Sequence, residues 1–236
     1  MLYLLFDGKN SPSIPFTLNR ASPQAAGLVG WWPTVGQTGG VLRNRASALP
    51  LDATLEDNAA LAPAPIVGQA LALDGTNDRA YNGSASLGMT GDAAFTVAFW
   101  LNPAAITSDA MWFSYGNTAR GETITLGGVT GPFFKTTAYG FDVIFYGAPP
   151  PALNTWQHVA LTYNPATSTA LLYVDGTQRD TWAAPDNYVL QASAPLRLGQ
   201  SPWGTCVGAC QMADVRLYNR ALSAAEIWSL YAPQTR

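Results

Sequence analysis

The sequence predicts an all-β chain: an antiparallel β-sandwich of jelly-roll type, with one short C-terminal helix and an extended N-terminal arm. Three observations predict it. From residue 66 onward, short apolar or alternating runs recur between turn residues, the spacing of a sandwich. Turn chemistry is dense, with 22 Gly and 17 Pro. Strands do not alternate with helical patterns, which argues against a parallel α/β sheet. With 236 residues, 48% of them hydrophobic and only 11% charged, there is apolar material for one large β domain with a sparsely charged surface.

Residues 1–26 differ in composition from the rest of the chain. "LYLLF" and "PSIPFTL" read as two extended segments about the Asp7-Gly8 turn. Pro12 and Pro15 confine the second to an edge or irregular role, because proline cannot donate to a ladder. This arm is expected to dock through Leu2, Tyr3, Leu5, Phe6, Ile14 and Phe16 on other copies of the chain or on another protein. The alternative is an extra edge strand of the same domain. No basic residue precedes the opening apolar run, which ends at Asp7, too short for a signal-peptide core or a membrane span. The expectation is a chain not exported by that route, or a virus product released when its host lyses.

Residues 27–236 carry the sandwich. "QALALDG" alternates and stops at a turn, and "FTVAFWLNP" ends at Asn102-Pro103. "TITLGG", "YGFDVIFYG" and "TWQHVALTYN" come next. "ALLYVDGTQRDT" reads as two strands around Asp175-Gly176, a hairpin signal because Asp-Gly accepts the positive φ of a tight turn. "APLRLGQ" and "MADVRLYN" complete the strands. The closing helix is written in capping residues: Ser223 as cap, Glu226 three residues later, and Leu222 with Ile227 as a hydrophobic staple. Its Trp228, Leu230 and Tyr231 are expected to seal one end of the sandwich.

In this order, "GLVGWWP", "GQALALDGTNDRAYN", "FTVAFWLNP", "WQHVALTYN", "LYVDGTQ", "LRLG" and "ADVRLYNRALSAAEIWSLY" resemble the laminin-G-like, concanavalin-A-like jelly roll of bacterial and phage proteins, across residues 27–232. The resemblance implies that the last strand returns beside the first. It implies no single function, because this fold hosts lectins, glycosidases, adhesion modules and virion proteins.

Candidate chemistry divides by class. The net charge of −3 and two isolated lysines, Lys9 and Lys135, give no reason to expect nucleic acid. A glycosidase needs two opposed carboxylates. The three glutamates, Glu56, Glu122 and Glu226, form no cluster, and Glu226 belongs to the cap. His158, the one histidine, reads as a packed strand residue. No enzyme is expected and no cofactor is required. Relatives of this fold often hold a structural Ca²⁺, which the resemblance would assign to Asp74, Asp78 and Asp214; Ala213 stands where such domains often carry a second acidic residue. The alternative is that Asp74 and Asp78 shape an Asx turn. Cys206 and Cys210 are spaced for a local disulfide, with free thiols as the alternative. Trp112, Tyr115 and Trp203, in loop-like stretches, are candidates to stack on a glycan, with core packing as the alternative. The expected function is a non-enzymatic structural protein of a virion surface, most specifically a bacteriophage capsid decoration protein docked on a major capsid or tail protein. The alternative is a carbohydrate-binding or host-attachment module, extracellular or at a cell surface.

Overall fold

The computed structural model describes residues 18–232 apart from 48, 50, 66–67, 108–109, 120–121, 130–132, 139–140, 184–187 and 205–208. The arm positions Leu2, Tyr3, Leu5, Phe6, Ile14 and Phe16, and Cys206, lie outside the described residues. The strands are β1 (Leu28–Trp32), β2 (Val41–Leu42), β3 (Ala53–Glu56), β4 (Ala60–Ala64), β5 (Gly68–Leu73), β6 (Arg79–Ala85), β7 (Phe95–Pro103) and β8 (Ala110–Gly116). They continue with β9 (Thr123–Val129), β10 (Phe133–Ala138), β11 (Phe141–Phe145), β12 (Gln157–Asn164), β13 (Thr169–Val174), β14 (Thr177–Ala183), β15 (Ala194–Leu198) and β16 (Cys210–Tyr218). A single α-helix among the described residues, α1 (Ala224–Tyr231), closes the order.

Two antiparallel sheets form the sandwich. Sheet A runs β14-β13-β12-β7-β16-β5-β4, with β1 also on β16; sheet B runs β11-β10-β9-β8-β15-β6-β3-β2. The last strand does return beside the first: Trp31 pairs with Arg216 and Trp32 with Val215. β16 therefore has β7 on one side and β5 followed by β1 on the other.

The period of two along each strand divides the side chains. On β7, Phe95, Val97, Phe99 and Leu101 face sheet B; on β12, Val159, Leu161 and Tyr163 do the same. Sheet B answers with Phe113, Tyr115, Ile124, Leu126, Leu196 and Leu198. The intervening residues of sheet A are also apolar, because α1 covers its outer face. Ala98, Ala160, Tyr173 and Tyr218 pack there under Leu222, Ile227 and Leu230. A sheet buried on both faces loses its apolar–polar alternation, which is why "FTVAFWLNP" is apolar almost throughout.

The capping box of α1 forms as the sequence predicts. Glu226 donates its backbone N–H to Ser223 Oγ (3.4 Å), and Ser223 donates its own to Glu226 Oε2 (2.8 Å). Leu222 and Ile227 are buried in one cluster, as a staple requires. The helix is not the end seal expected of it. It lies on the outer face of sheet A, and Trp228 remains 52% exposed. The Asp175-Gly176 hairpin is confirmed, with both residues at positive φ (50° and 71°). Gly176 has a second reason to lack a side chain: a Cβ there would lie 2.7 Å from the Trp228 ring.

The end of the expected arm is part of the domain. Leu18 packs against the cluster beneath α1, and the Gln24 side-chain amide donates to Ser229 O (3.0 Å) and Ser229 Oγ (3.2 Å). No helix among the described residues is long and apolar enough to cross a membrane.

Candidate functional site at the rim of sheet A

β5, β7 and β16 run side by side in sheet A, and their ends frame a pocket of about 530 Å³. Directly paired residues set its floor: Ala72 with Gln211, and Gln211 with Asn102. The small Ala72 leaves the floor open, while Gln211 and Asn102 present side-chain amides. Asn58, Asp74, Asp78 and Asn154 complete the polar lining. Asn154 is placed by a turn at positive φ (54°), tied back by its backbone N–H to Pro103 O at 2.8 Å.

The "LDGTND" turn supplies the acidic wall. Asp78 is buried and accepts backbone N–H bonds on both oxygens, from Asn58 (2.8 Å) and Asp74 (3.0 Å). Asp74 accepts from the Thr76 N–H at 2.7 Å, the Asx turn of the alternative reading. Gly75 sits at φ 82°, where a Cβ would lie 2.7 Å from that of Ala209, so the turn closes directly on the segment leading into β16. Asn102 Oδ1 is buried without a hydrogen-bond partner in the protein. A buried acceptor left unmade costs about 1–3 kcal/mol. This atom is thus an unused acceptor beneath the pocket lining.

The three aspartates assigned to calcium are not brought together. Asp74 and Asp78 share the pocket, but Asp214 lies four residues beyond Cys210 on β16, about 13 Å along the strand. A bulge between Ala213 and Arg216, with Asp214 at φ 52°, turns its carboxylate elsewhere. There it accepts from Trp31 Nε1 (2.6 Å) and Arg216 Nη2 (2.6 Å). Among the described residues no group of three His, Cys, Asp or Glu side chains is placed to hold a metal.

The glycan-stacking expectation fails for two of its three residues. Trp112 and Tyr115 lie on β8, not in loops, and both are fully buried in the core between the sheets. Tyr115 donates its hydroxyl to Gln191 O at 3.0 Å. Trp203 is 45% exposed on the turn after β15 and does not line the pocket. Cys210 is buried on the pocket wall, where desolvation pushes its thiol well above the usual range. Asn58, Asn154 and Gln211 belong to no motif that sequence reading singles out, and Asn102 is read there only as the end of a strand. Asn102 and Gln211 meet only through the β7–β16 register, for which no local signal exists.

His158 and the three glutamates are occupied structurally. Burial pushes the His158 imidazole down to about 3, with the Arg216 charge adding to the effect. His158 packs edge-on against Trp100 and beside Tyr231 of α1. Glu226 is held at about 2, first by the Arg220 guanidinium and then by the Ser223 cap. Glu56 pairs with Arg79 at 2.5 Å, and Glu122 accepts from Gln191 Nε2 at 2.9 Å and Asn117 Nδ2 at 3.3 Å.

A laminin-G-type family model, described as the concanavalin A-like lectin/glucanases superfamily, matches residues 74–228. No curated protein matches the sequence. Among solved structures the chain is similar to domain 4 of AbnA, a GH43 extracellular arabinanase from Geobacillus stearothermophilus, in complex with arabinotriose. That match has TM-score 0.69 and 15% identity over 87% of this chain and 98% of that one. It is similar to Trypanosoma rangeli sialidase, with TM-score 0.64 and 17% identity over 89% of this chain but 33% of the sialidase. The binding domain of Paraclostridial Mosquitocidal Protein 1 matches with TM-score 0.64 and 13% identity, over 89% of this chain and 53% of that one.

Proposed function

The chain belongs to the concanavalin A-like lectin/glucanase superfamily, and on that premise we propose that it is a non-enzymatic carbohydrate-binding module displayed at a surface. The observation that carries this reading is the rim pocket: a 530 Å³ hollow lined by amides and carboxylates, with an unused acceptor at Asn102 Oδ1. Its volume lies within the range of roughly 300–1,000 Å³ common for small-ligand sites. Saccharide hydroxyls both donate and accept, and side-chain amides answer both roles. The likeness to a domain crystallised with arabinotriose favours the same class of ligand.

The absence of catalysis in this reading rests on how the carboxylates are used. Hydrolysis of a glycosidic bond needs one carboxyl as proton donor and a second as base or nucleophile. Asp74 and Asp78, the two carboxylates that line the pocket, accept backbone N–H groups that shape its wall, and each glutamate is engaged in a cap, an ion pair or amide bonds.

Titration calorimetry with arabinotriose, beside a broad glycan array, tests the reading. A bound saccharide whose affinity falls about tenfold or more in Asn102→Ala and Gln211→Ala is expected, the loss of one or two good hydrogen bonds. An array without a single bound saccharide would sink it.

A finer reading places the module on a virion as an outer capsid decoration protein, held by its arm to other copies or to a major capsid or tail protein. It is favoured by the apolar composition of residues 1–17 and by Leu18, which packs under α1. Light scattering on the full chain and on one lacking residues 1–17 tests it. An oligomer that becomes a folded monomer supports the arm, and two identical monomers remove self-assembly through it.

A further inference from the structure

A row of directly paired residues crosses sheet B: Thr54 on β3, Tyr81 on β6, Arg197 on β15, Ser114 on β8 and Thr125 on β9. Residues paired this way share one face of a sheet. Their neighbours Ala80, Leu196, Leu198, Phe113 and Tyr115 point into the core, so the row faces outward. Thr54 is exposed, whereas Ser114 and Thr125 are buried. Arg197 sits at the step between them, half-buried.

Two guanidinium groups lie over the one Tyr81 ring, Arg79 at 4.9 Å and Arg197 at 5.4 Å from its centre. They are not equivalent. Arg79 is neutralised by Glu56 at 2.5 Å and donates to Gln200 Oε1 at 2.7 Å. Arg197 has only a long contact to Gly116 O at 3.5 Å, and no carboxylate lies within ion-pair distance of it among the described residues. Burial lowers the pKa of Arg197, Tyr81 opposes the shift, and the Arg79 charge adds to it. A partly desolvated cation without a counter-ion is unfavourable, and an anion from solution relieves it. The group Arg79, Glu56 and Arg197 carries one net positive charge, in a chain of net charge −3.

We infer that Arg197 is the docking point for the carboxylate of an acidic saccharide, with Tyr81 holding the guanidinium from behind. The inference rests on the carbohydrate-binding reading but uses a different face of the molecule. The planar fork of arginine matches a carboxylate through two parallel N–H···O bonds. One surplus charge suits a single carboxylate group at the fork. Thr54 offers an exposed hydroxyl in the same row, and Gly83, two residues beyond Tyr81 and exposed, presents no side chain beside it.

Calorimetry on the full chain tests this, with trigalacturonate, its fully methyl-esterified form, arabinotriose and inorganic phosphate as probes. The acid should bind, and the ester should bind about tenfold more weakly or worse, the scale of a lost charge-assisted bond. Arg197→Gln should lose the same factor for the acid and leave arabinotriose binding unchanged. Arg197→Lys, which keeps the charge and loses the fork, should fall between them and serves if the glutamine variant does not fold. Equal binding of acid and ester would overturn the inference, as would an Arg197→Gln protein with undiminished affinity for the acid. Phosphate competing as well as trigalacturonate would also overturn it, by making the site one for any small anion. Arabinotriose bound without the acid removes this site alone. The acid bound without arabinotriose removes the rim pocket alone.

Discussion

The two outer faces of the sandwich are made from strands of similar length and the same antiparallel pairing, yet they have opposite chemistry. Sheet A turns Ala98, Ala160, Tyr173 and Tyr218 outward and covers them with a helix from its own chain. Sheet B turns outward a row containing Thr54, Tyr81 and Arg197, open to solvent at Thr54 and carrying an unbalanced charge at Arg197. An outer face that is apolar must be covered, and here the cover comes from residues 222–230. On the outer face of sheet B the described residues leave Thr54 exposed and Arg197 half-buried. The difference puts a helix-covered apolar face on one side of the molecule and a partly open polar row on the other.

The largest test of that contrast is acid. His158 lies on the outer face of sheet A, paired with Trp100 and beneath Tyr231. Arg216 is the cation that adds to its shift, and Asp175 Oδ1 accepts its backbone N–H at 2.9 Å. Folded, it takes a proton only near pH 3, while the unfolded chain takes one near the ordinary value of 6.5. Between these values the unfolded state binds more protons, so stability falls as pH drops from about 6.5 toward 3. The loss at the acid end is on the order of 4 kcal/mol. Urea melts across this range should show the slope, and His158→Gln should flatten it.

Next in size is Ile227→Ala, which opens a cavity under the helix and should cost about 3 kcal/mol in a denaturant melt. Removing the cap with Ser223→Ala should cost about 1 kcal/mol, because Glu226 loses the acceptor for its N–H. The smallest effect belongs to the other face: Thr54→Val, exposed on sheet B, should change stability by less than about 0.5 kcal/mol. A Thr54 effect as large as that of Ile227 would mean that sheet B, too, is sealed by the chain, and the contrast would fail.

Much of the fold is legible in the sequence because its signals are local. The Asp175-Gly176 turn, the Ser223–Glu226 box and the apolar runs of β7 and β12 each state their own conformation. β8 is hidden for a physical reason. All seven of its residues are buried, so "AMWFSYG" has no alternation, and Trp112 and Tyr115 read as loop aromatics. The helix is legible but its place is not, since a capping box gives a start and not a docking face. At the candidate site, "LDGTND" announces the acidic turn. The amides of Asn102 and Gln211 cannot be foreseen, because register between β7 and β16 brings them together. The Asp214 bulge escapes sequence reading likewise: the carboxylate is spoken for by Trp31, which approaches from the first strand.

The position of β16 bears on how the molecule is made. Synthesis runs from the amino end, so β1, β5 and β7 leave the ribosome long before the strand that joins them. Until residue 218 emerges, each of those three has an unpaired edge, open to other nascent chains. Sheet A is thus completed only once β16 has emerged, by contacts distant in sequence, which form slowly. The cell must keep the unfinished sandwich apart from its neighbours until its last strand arrives.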